Sequence, residues 1–231
     1  TREVLTFRPE LVSDIFLAPA AREKNPDLVE LAEQSGCEVT VASDAVIEQM
    51  ADTVTPQGVV AVARYLDVTV DEVLATGASH LVVLHEVKDP GNVGNIIRTA
   101  DAAGVDAVIV TADSVDVFNP KVVRATTGSI FHIPVVMGVE LVPTIESLKS
   151  AGVRIFAADA DGTSLGQVRS EGGLSAPLAW LLGNEAHGLS PEDELLADTT
   201  VSVPMFGQAE SLSLQTAAAI CIYEAAFAKN S

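Results

Sequence analysis

The sequence predicts an α/β protein in which helices cover both faces of a parallel sheet, preceded by a smaller α/β module. From residue 80 onward, apolar runs such as 81–87, 105–110 and 178–182 alternate with helical patterns. These runs are predominantly apolar and do not alternate with polar residues, which is typical of strands that are buried on both faces of a parallel sheet. The hydrophobic fraction of 48% in 231 residues is enough for a sizeable core.

The first 66 residues show a short α/β pattern of their own. Strands are predicted at 12–18, 37–41 and 59–63. Helices are predicted after Asn25, where a proline follows, and after the capping residue Ser43. We therefore expect a separate module.

A connector and a larger domain complete the chain. We expect residues 67–79 to be a linker with a short helix that begins near Thr69 and ends at Gly77. The domain is then 80–231. Its remaining predicted helices and strands are, in order, a helix at 92–103, a helix at 119–126, a strand at 130–136, a helix at 141–150, a strand at 153–158, a helix at 191–196, a strand near Val201 and a helix through Phe227.

Charge and cysteine content limit the possible functions. The net charge of −19 argues against a general nucleic-acid binder, so any contact with nucleic acid must use a local basic cluster. No apolar run approaches the ~20 residues of a membrane span. Cys37 and Cys221 form neither a disulfide framework nor a metal-binding pattern, and the histidines show no metal spacing. We expect no metal, no membrane partner and a cytoplasmic location.

A glycine-rich loop leads into the helix predicted at 92–103. It contains Asn92, Gly94 and Asn95, and Arg98 follows within the helix. Amides at a helix start favour an anionic or polar ligand, and an arginine fork can hold phosphate. Taken alone, the pattern slightly favours a turn with an exposed arginine.

Two further loops follow predicted strands, so all three should meet at the carboxyl edge of the sheet. One contains Gly183, Asn184, Glu185 and Gly188, and the other spans 203–213. A simpler interpretation of the loop at 183–188 is a solvated turn. A simpler interpretation of 203–213 is a helix whose N-cap is Ser211. Trp180 is predicted to be a core residue.

Together, these loops resemble the three motifs of the SpoU (TrmH-type) RNA ribose 2′-O-methyltransferases of the SPOUT superfamily. Asn92 and Arg98 match the first motif, and 182–189 match the second. The third is matched by 203–205 with 210–212. The resemblance covers 80–231, and residues 1–66 resemble the accessory substrate-binding module of this family, which is similar to a small ribosomal-protein fold. We expect the chain to begin partway into that module, so that the module is incomplete at its N-terminus.

The resemblance implies a fold and a cofactor. The C-terminal segment would form a deep trefoil knot that binds S-adenosylmethionine. The protein would be a homodimer whose site is completed across the interface, with much of that interface supplied by the first-motif helix and the last helix. The implied cofactor-binding residues are Leu182, Gly183, Asn184, Gly188, Val203, Met205 and Leu212.

The resemblance also implies roles in transfer of a methyl group to a ribose 2′-hydroxyl. Arg98 would anchor phosphate and hydroxyl, since a guanidinium is too weakly acidic to act as a general base. Asn92 and Ser211 would orient groups by hydrogen bonds, and Glu185 would hold the loop and Arg98. The implied RNA-binding cations are Arg98, Lys121 and Arg124.

One position departs from the family pattern, and several functions stay open. Ser213 stands where the family usually has asparagine, so it either caps the helix equally well or weakens cofactor positioning. Ribosomal RNA, 23S in particular, is the expected substrate, and transfer RNA is an alternative. A catalytically silent RNA-binding or cofactor-binding protein of the same fold is a second alternative.

Overall fold

A computed structural model describes residues 1–51, 53, 55–66 and 68–230. The chain forms two compact units, Thr1–Leu66 and Asp67–Ser231. Asp67, the first residue of the predicted linker, and Ser231, the last of the predicted domain, lie outside the described residues. Among the helices of the described ranges, none is both long enough and apolar enough to cross a membrane.

The first unit is a three-stranded sheet with helices on both faces. Its central strand has one parallel and one antiparallel neighbour. Ile15 and Leu17 face one helix layer, while Phe16, between them, packs on the other, because side chains alternate along a strand. In chain order the elements are α1 (Arg2–Phe7), a 3-10 helix (Pro9–Leu11), β1 (Val12–Leu17), α2 (Pro19–Lys24), α3 (Pro26–Gln34), β2 (Val39–Val41), α4 (Asp44–Met50) and β3 (Val59–Ala63).

The second unit contains a six-stranded sheet in which every neighbouring pair is parallel. The predicted fold class is therefore confirmed. Its helices are α5 (Val70–Ala75), α6 (Pro90–Ala102), α7 (Pro120–Ala125), α8 (Leu141–Ser150), α9 (Leu165–Ser170), α10 (Pro191–Glu194) and α11 (Leu214–Lys229). Its strands are β4 (His80–Leu84), β5 (Ala107–Thr111), β6 (Val135–Val139), β7 (Arg154–Ser164), β8 (Leu178–Leu182) and β9 (Thr199–Ser202).

The strand order brings distant loops together. The order is β6-β5-β4-β8-β7-β9, so the chain winds outward from β4 to β6 and then crosses to build the other half. Leu84 is in register with Leu182, and the backbone N–H of His85 donates to the carbonyl of Leu182 at 2.9 Å. The loops after β4 and β8 therefore start side by side. The trefoil knot stays a prediction that this fold implies.

Burial explains why the central strands could be recognised. Every residue of β4, β5 and β8 is buried. Trp180 is fully buried, with its ring centroid 5.5 Å from that of Phe156, which confirms its prediction as a core residue. The short helix α5 begins with the predicted capping box, in which Thr69 and Glu72 satisfy each other's backbone N–H groups.

Several predicted boundaries are wrong for identifiable reasons. The strand predicted at 130–136 begins only at Val135, because residues Ser129–Phe131 form a 3-10 helix and Pro134 follows. The strand predicted at 81–87 ends at Leu84, since Glu86 has a positive φ of 55°. The predicted N-cap at Ser211 is wrong, because Ser213 occupies that position. Helix α9 was not predicted.

Candidate functional site

The loop after β8 is folded tightly on itself. Asn184 and Gly188 exchange two backbone hydrogen bonds of 3.0 Å each. The Asn184 side chain donates to the carbonyl of Glu86 at 2.9 Å and accepts from the N–H of Ala186 at 2.8 Å. Gly183 has no space for a side chain, because a Cβ there would lie 2.6 Å from main-chain atoms of Gly188 and Leu189. Local hydrogen bonds thus fix the shape of this loop.

Glu185 joins this loop to the start of α6. Its carboxylate accepts from the N–H groups of Lys88 at 3.2 Å and Asp89 at 2.9 Å. It also accepts from the Asn92 side-chain amide at 3.1 Å. Burial opposes ionisation of Glu185, but these donors outweigh it, so its pKa lies below the ordinary value. Two of the predicted catalytic residues, Asn92 and Glu185, are therefore in direct contact.

The segment after β9, in contrast to the loop after β8, is not held in place by hydrogen bonds between the residues that the structure describes. Residues 204–211 are exposed, and none of 204–212 makes a hydrogen bond with another described residue. The segment leads into α11, where the hydroxyl groups of Ser213 and Thr216 lie 2.8 Å apart. Just beyond, the Asn95 amide of α6 donates to Gln215 at 2.6 Å, which ties the first loop's helix to α11.

A cleft of about 460 Å³ opens between these two loops. All seven predicted cofactor-binding residues line it, and so do Glu185 and Ser211. Asn92 is not part of the lining but touches Glu185. The lining residues are Ala158, Asp159, Ala160, Leu182, Gly183, Asn184, Glu185, Ala186, His187, Gly188, Val201, Val203, Met205, Glu210, Ser211, Leu212, Leu214 and Ala217.

The predicted cations lie outside this cleft. Arg98, on α6, and Lys121 and Arg124, on α7, are exposed, and none of them pairs with a residue that the structure describes. The two helices pack closely, since a Cβ on Gly94 would lie 2.4 Å from the Cβ of Ala125. Within this chain, Glu185 makes no described contact with Arg98.

Sequence reasoning missed one acidic wall of the cleft. Asp159 lies in the middle of β7, where the register with β9 is interrupted between Ala158 and Thr163. Burial and the neighbouring Asp159 carboxylate raise the pKa of Glu194. The signal was available, because Asp159 follows a predicted apolar strand just as the recognised loops do.

Comparison with known proteins identifies the family. The sequence profile described as "SpoU rRNA Methylase family" matches residues 79–223. The chain belongs to this family. A second profile, described as "RNA 2'-O ribose methyltransferase substrate binding", matches residues 2–67. The resemblance found in the three loops is thus confirmed.

Two characterised relatives show how far the similarity extends. The chain is 38% identical over 192 residues to the 23S rRNA (guanosine(2553)-2'-O)-methyltransferase RlmP of Bacillus subtilis. The aligned region covers 82% of this chain and 73% of that protein. It is 35% identical over 226 residues to the 23S rRNA (guanosine-2'-O-)-methyltransferase RlmB of Bordetella pertussis. That alignment covers 95% of this chain and 91% of that protein.

A solved structure supports the same cofactor. The SpoU methyltransferase AviRb from Streptomyces viridochromogenes, in complex with AdoMet, superposes with a TM-score of 0.80 at 29% identity. The match covers 98% of this chain and 87% of that one. The family uses S-adenosylmethionine as its methyl donor.

The cleft of this chain fits such a cofactor. Its volume lies in the range of about 300–1,000 Å³ that is typical of small-molecule sites. Asp159, Glu185 and Glu210 line it, whereas no lysine or arginine is among its described lining residues. Carboxylates favour a ligand that carries a sulfonium and an ammonium group.

Proposed function

We propose that this protein is an S-adenosylmethionine-dependent ribosomal RNA ribose 2′-O-methyltransferase, with 23S rRNA as its substrate. The observation that carries this proposal is the cleft itself, because the loops 183–188 and 203–212 converge there with all seven expected cofactor-binding residues. The bound cofactor would supply an electrophilic methyl group on a sulfonium. The chain must bind the ribose, orient its 2′-hydroxyl and exclude competing water.

Glu185 and Asn92 act as a positioning pair in this proposal. The carboxylate is occupied by three donors from 88–92, so it holds the start of α6 against the cleft rather than accepting the ribose proton. The Asn92 amide, fixed by Glu185, and the exposed hydroxyl of Ser211 orient the acceptor nucleotide. The role of Asn92 depends on geometry that is already formed in the chain, because its amide is held by Glu185.

The exposed cations form the RNA contact. Arg98, Lys121 and Arg124 lie on two closely packed helices and have no described ion-pair partner, so their charges are available to phosphates. Arg98 also stabilises the negative charge that develops on the 2′-oxygen. Since Arg98 does not line the cleft of its own chain, we assign it to the cleft of a second subunit.

A homodimer follows from that assignment. Helix α11 exposes Tyr223 and Phe227, whose ring centroids are 5.8 Å apart. Exposed neighbouring aromatics on a long apolar helix favour burial against another surface. Light scattering on the purified chain should give twice the mass of one subunit. A monomer in solution would contradict the assignment of Arg98.

The first unit serves as the substrate-binding module, and the short segment 67–79 links it to the catalytic domain. Support comes from the separate core of residues 1–66 and from the profile that matches 2–67. A cytoplasmic location fits the unpaired cysteines, because Cys37 and Cys221 are both free thiols.

Methyl transfer from labelled cofactor to RNA tests the function. Unmodified 23S rRNA transcript should take up label, and digestion to nucleosides should place it on a ribose 2′-oxygen. Transfer RNA transcripts should take up none. Arg98→Ala should reduce transfer at least a hundredfold while the cofactor dissociation constant stays within about threefold of the unaltered value, because we assign Arg98 to the RNA phosphate and the ribose oxygen and not to the cofactor. Lys149→Ala removes a surface cation from α8 and should leave transfer unchanged.

Three results would contradict parts of the proposal. Cofactor binding without transfer to any RNA would favour a silent binding protein. Label on tRNA alone would identify transfer RNA, and not 23S rRNA, as the substrate. Normal transfer by Arg98→Ala would remove the role assigned to this residue.

A further inference from the structure

One aromatic side chain beside the cleft is almost fully exposed. Phe206 has 95% of its surface in solvent, more than any other large apolar residue of the described ranges. It follows Met205, which lines the cofactor cleft, and both residues also line a second, largely apolar groove of about 500 Å³. Phe206 therefore lies next to Met205, which is part of the wall that the two cavities share.

This position is within reach of an acceptor nucleotide. Consecutive Cα atoms are about 3.8 Å apart, so the ring of Phe206 lies within a nucleotide's length of the cleft lining at Met205. A ribose 2′-hydroxyl that enters the cleft brings its own base and the neighbouring bases within reach of this wall. Single-stranded RNA whose bases are unstacked is commonly held by stacking on aromatic side chains.

Charge around the cleft also favours a contact with a base over one with a phosphate. Asp159, Glu185 and Glu210 line the cleft, with no described lysine or arginine among them. At the neighbouring groove, Arg169 is paired with Glu224 at 2.7 Å. Phosphates near this wall meet net negative charge from the residues of the same chain, whereas a nucleobase offers a π-face whose stacking depends little on charge.

The backbone of this segment allows such a contact to form. Residues 204–212 make no hydrogen bond with the described remainder of the chain, and Gly207 has open space around it. The ring can therefore adjust to a base without breaking existing interactions.

We infer that Phe206 is the stacking platform for a nucleobase of the RNA substrate, at or next to the methylated nucleotide. This inference rests on the proposed function and identifies the residue that holds the acceptor beside the methyl donor. The contact would tolerate different bases, because every base has a π-face.

The test compares three variants with the unaltered protein. Phe206→Ala removes the ring, Phe206→Trp keeps a stacking surface, and Leu195→Ala removes an exposed apolar side chain that lies outside both cavities. The measurements are kcat/KM for unmodified 23S rRNA transcript, the dissociation constant of S-adenosylmethionine by calorimetry, the melting temperature, and the mass in solution.

Phe206→Ala should lower kcat/KM for RNA about tenfold or more, as expected for the loss of one base–aromatic stack. Its cofactor affinity, melting temperature and mass should match those of the unaltered protein. Phe206→Trp should stay within about threefold of the unaltered kcat/KM, and Leu195→Ala should not change it. The salt dependence of kcat/KM should be the same for all variants, because no phosphate contact is lost.

Two results would overturn the inference without touching the proposed function. One is an active unaltered protein whose Phe206→Ala variant has the same kcat/KM. The other is a Phe206→Ala variant that loses activity together with its mass as a dimer, since Phe206 would then be a contact between two copies. An unaltered protein that transfers no methyl group to RNA would instead overturn the proposed function itself.

Discussion

The two loops that enclose the cleft are built in opposite ways. The loop after β8 is held by the paired backbone bonds of Asn184 and Gly188 and by the donors that converge on Glu185. The segment 204–212 after β9 has no such bonds and is mostly exposed. One wall is therefore preorganised, and the other is left for a ligand or a partner to order. Preorganisation lowers the entropic cost of binding, while an unbonded segment can admit and release a ligand.

The largest expected difference between the walls comes from a pair of glycine substitutions. In Gly183→Ala the new Cβ would lie 2.6 Å from main-chain atoms, which cannot rotate away. We expect the free energy of unfolding to fall by about 2–3 kcal/mol and cofactor affinity to fall at least tenfold. Gly207→Ala has nothing within 4 Å and should change stability by less than about 0.5 kcal/mol.

Urea unfolding and calorimetry with S-adenosylmethionine measure both effects. Equal stability losses in the two variants would mean that the walls do not differ in rigidity as described.

A smaller difference is expected for two acidic residues of the walls. Glu185→Ala removes the acceptor of three hydrogen bonds and should lower the free energy of unfolding by about 1 kcal/mol. This loss is small for a hydrogen-bonded charged group, because Glu185 is exposed to solvent. Glu210→Ala removes a carboxylate that makes no described hydrogen bond. Its stability, measured in the same urea titration, should be unchanged. A Glu210→Ala protein as unstable as Glu185→Ala would break the comparison.

The smallest expected effect is a pH dependence of the stability difference between the unaltered protein and Glu185→Ala. The folded-state pKa of Glu185 is below its ordinary value of 4.5, so the stabilisation is present above pH 4.5 and is lost as pH falls through the folded value. The stability gap between the unaltered protein and Glu185→Ala should therefore narrow below pH 4.5.

A buried histidine gives a pH effect that is common to both proteins. Burial lowers the pKa of His80 to about 4, so its effect on stability between pH 6.5 and 4 cancels in the difference. A gap that stays constant down to pH 3 would show that the carboxylate contributes no charge-dependent stabilisation.

The sequence predicted the fold class because its strands are buried on both faces. Strand β8 and helix α8 were predicted with their observed bounds, since continuous apolar runs and helical periodicity leave little ambiguity there. Less regular segments were harder. The 3-10 helix at Ser129–Phe131 contains apolar residues that are equally typical of a strand. The helix α11 starts after Ser213 and not after Ser211, and the sequence offers a serine at both positions.

The site was predictable only in part, and for a physical reason. Glycine-bearing loops after strands pointed to the cleft, and the family resemblance supplied its ligand. The partners of Glu185 needed the fold, because they are more than ninety positions away in the chain. Asp159 could have been noted as a residue that follows a predicted strand, but its contact with this particular cleft also depends on the fold. Which side chains meet is set by the strand order, and periodicity in a single sequence does not encode that order.

Amide hydrogen exchange with and without S-adenosylmethionine tests the central claim most directly. Without the cofactor, the amides of Asn184 and Gly188 should be protected, because both are hydrogen-bonded, and those of 205–212 should exchange rapidly. Saturating cofactor should slow exchange across 205–212 at least tenfold and change the loop after β8 much less. Exchange that is unaltered by the cofactor in both loops would contradict the account, because the cleft would then not be the cofactor site.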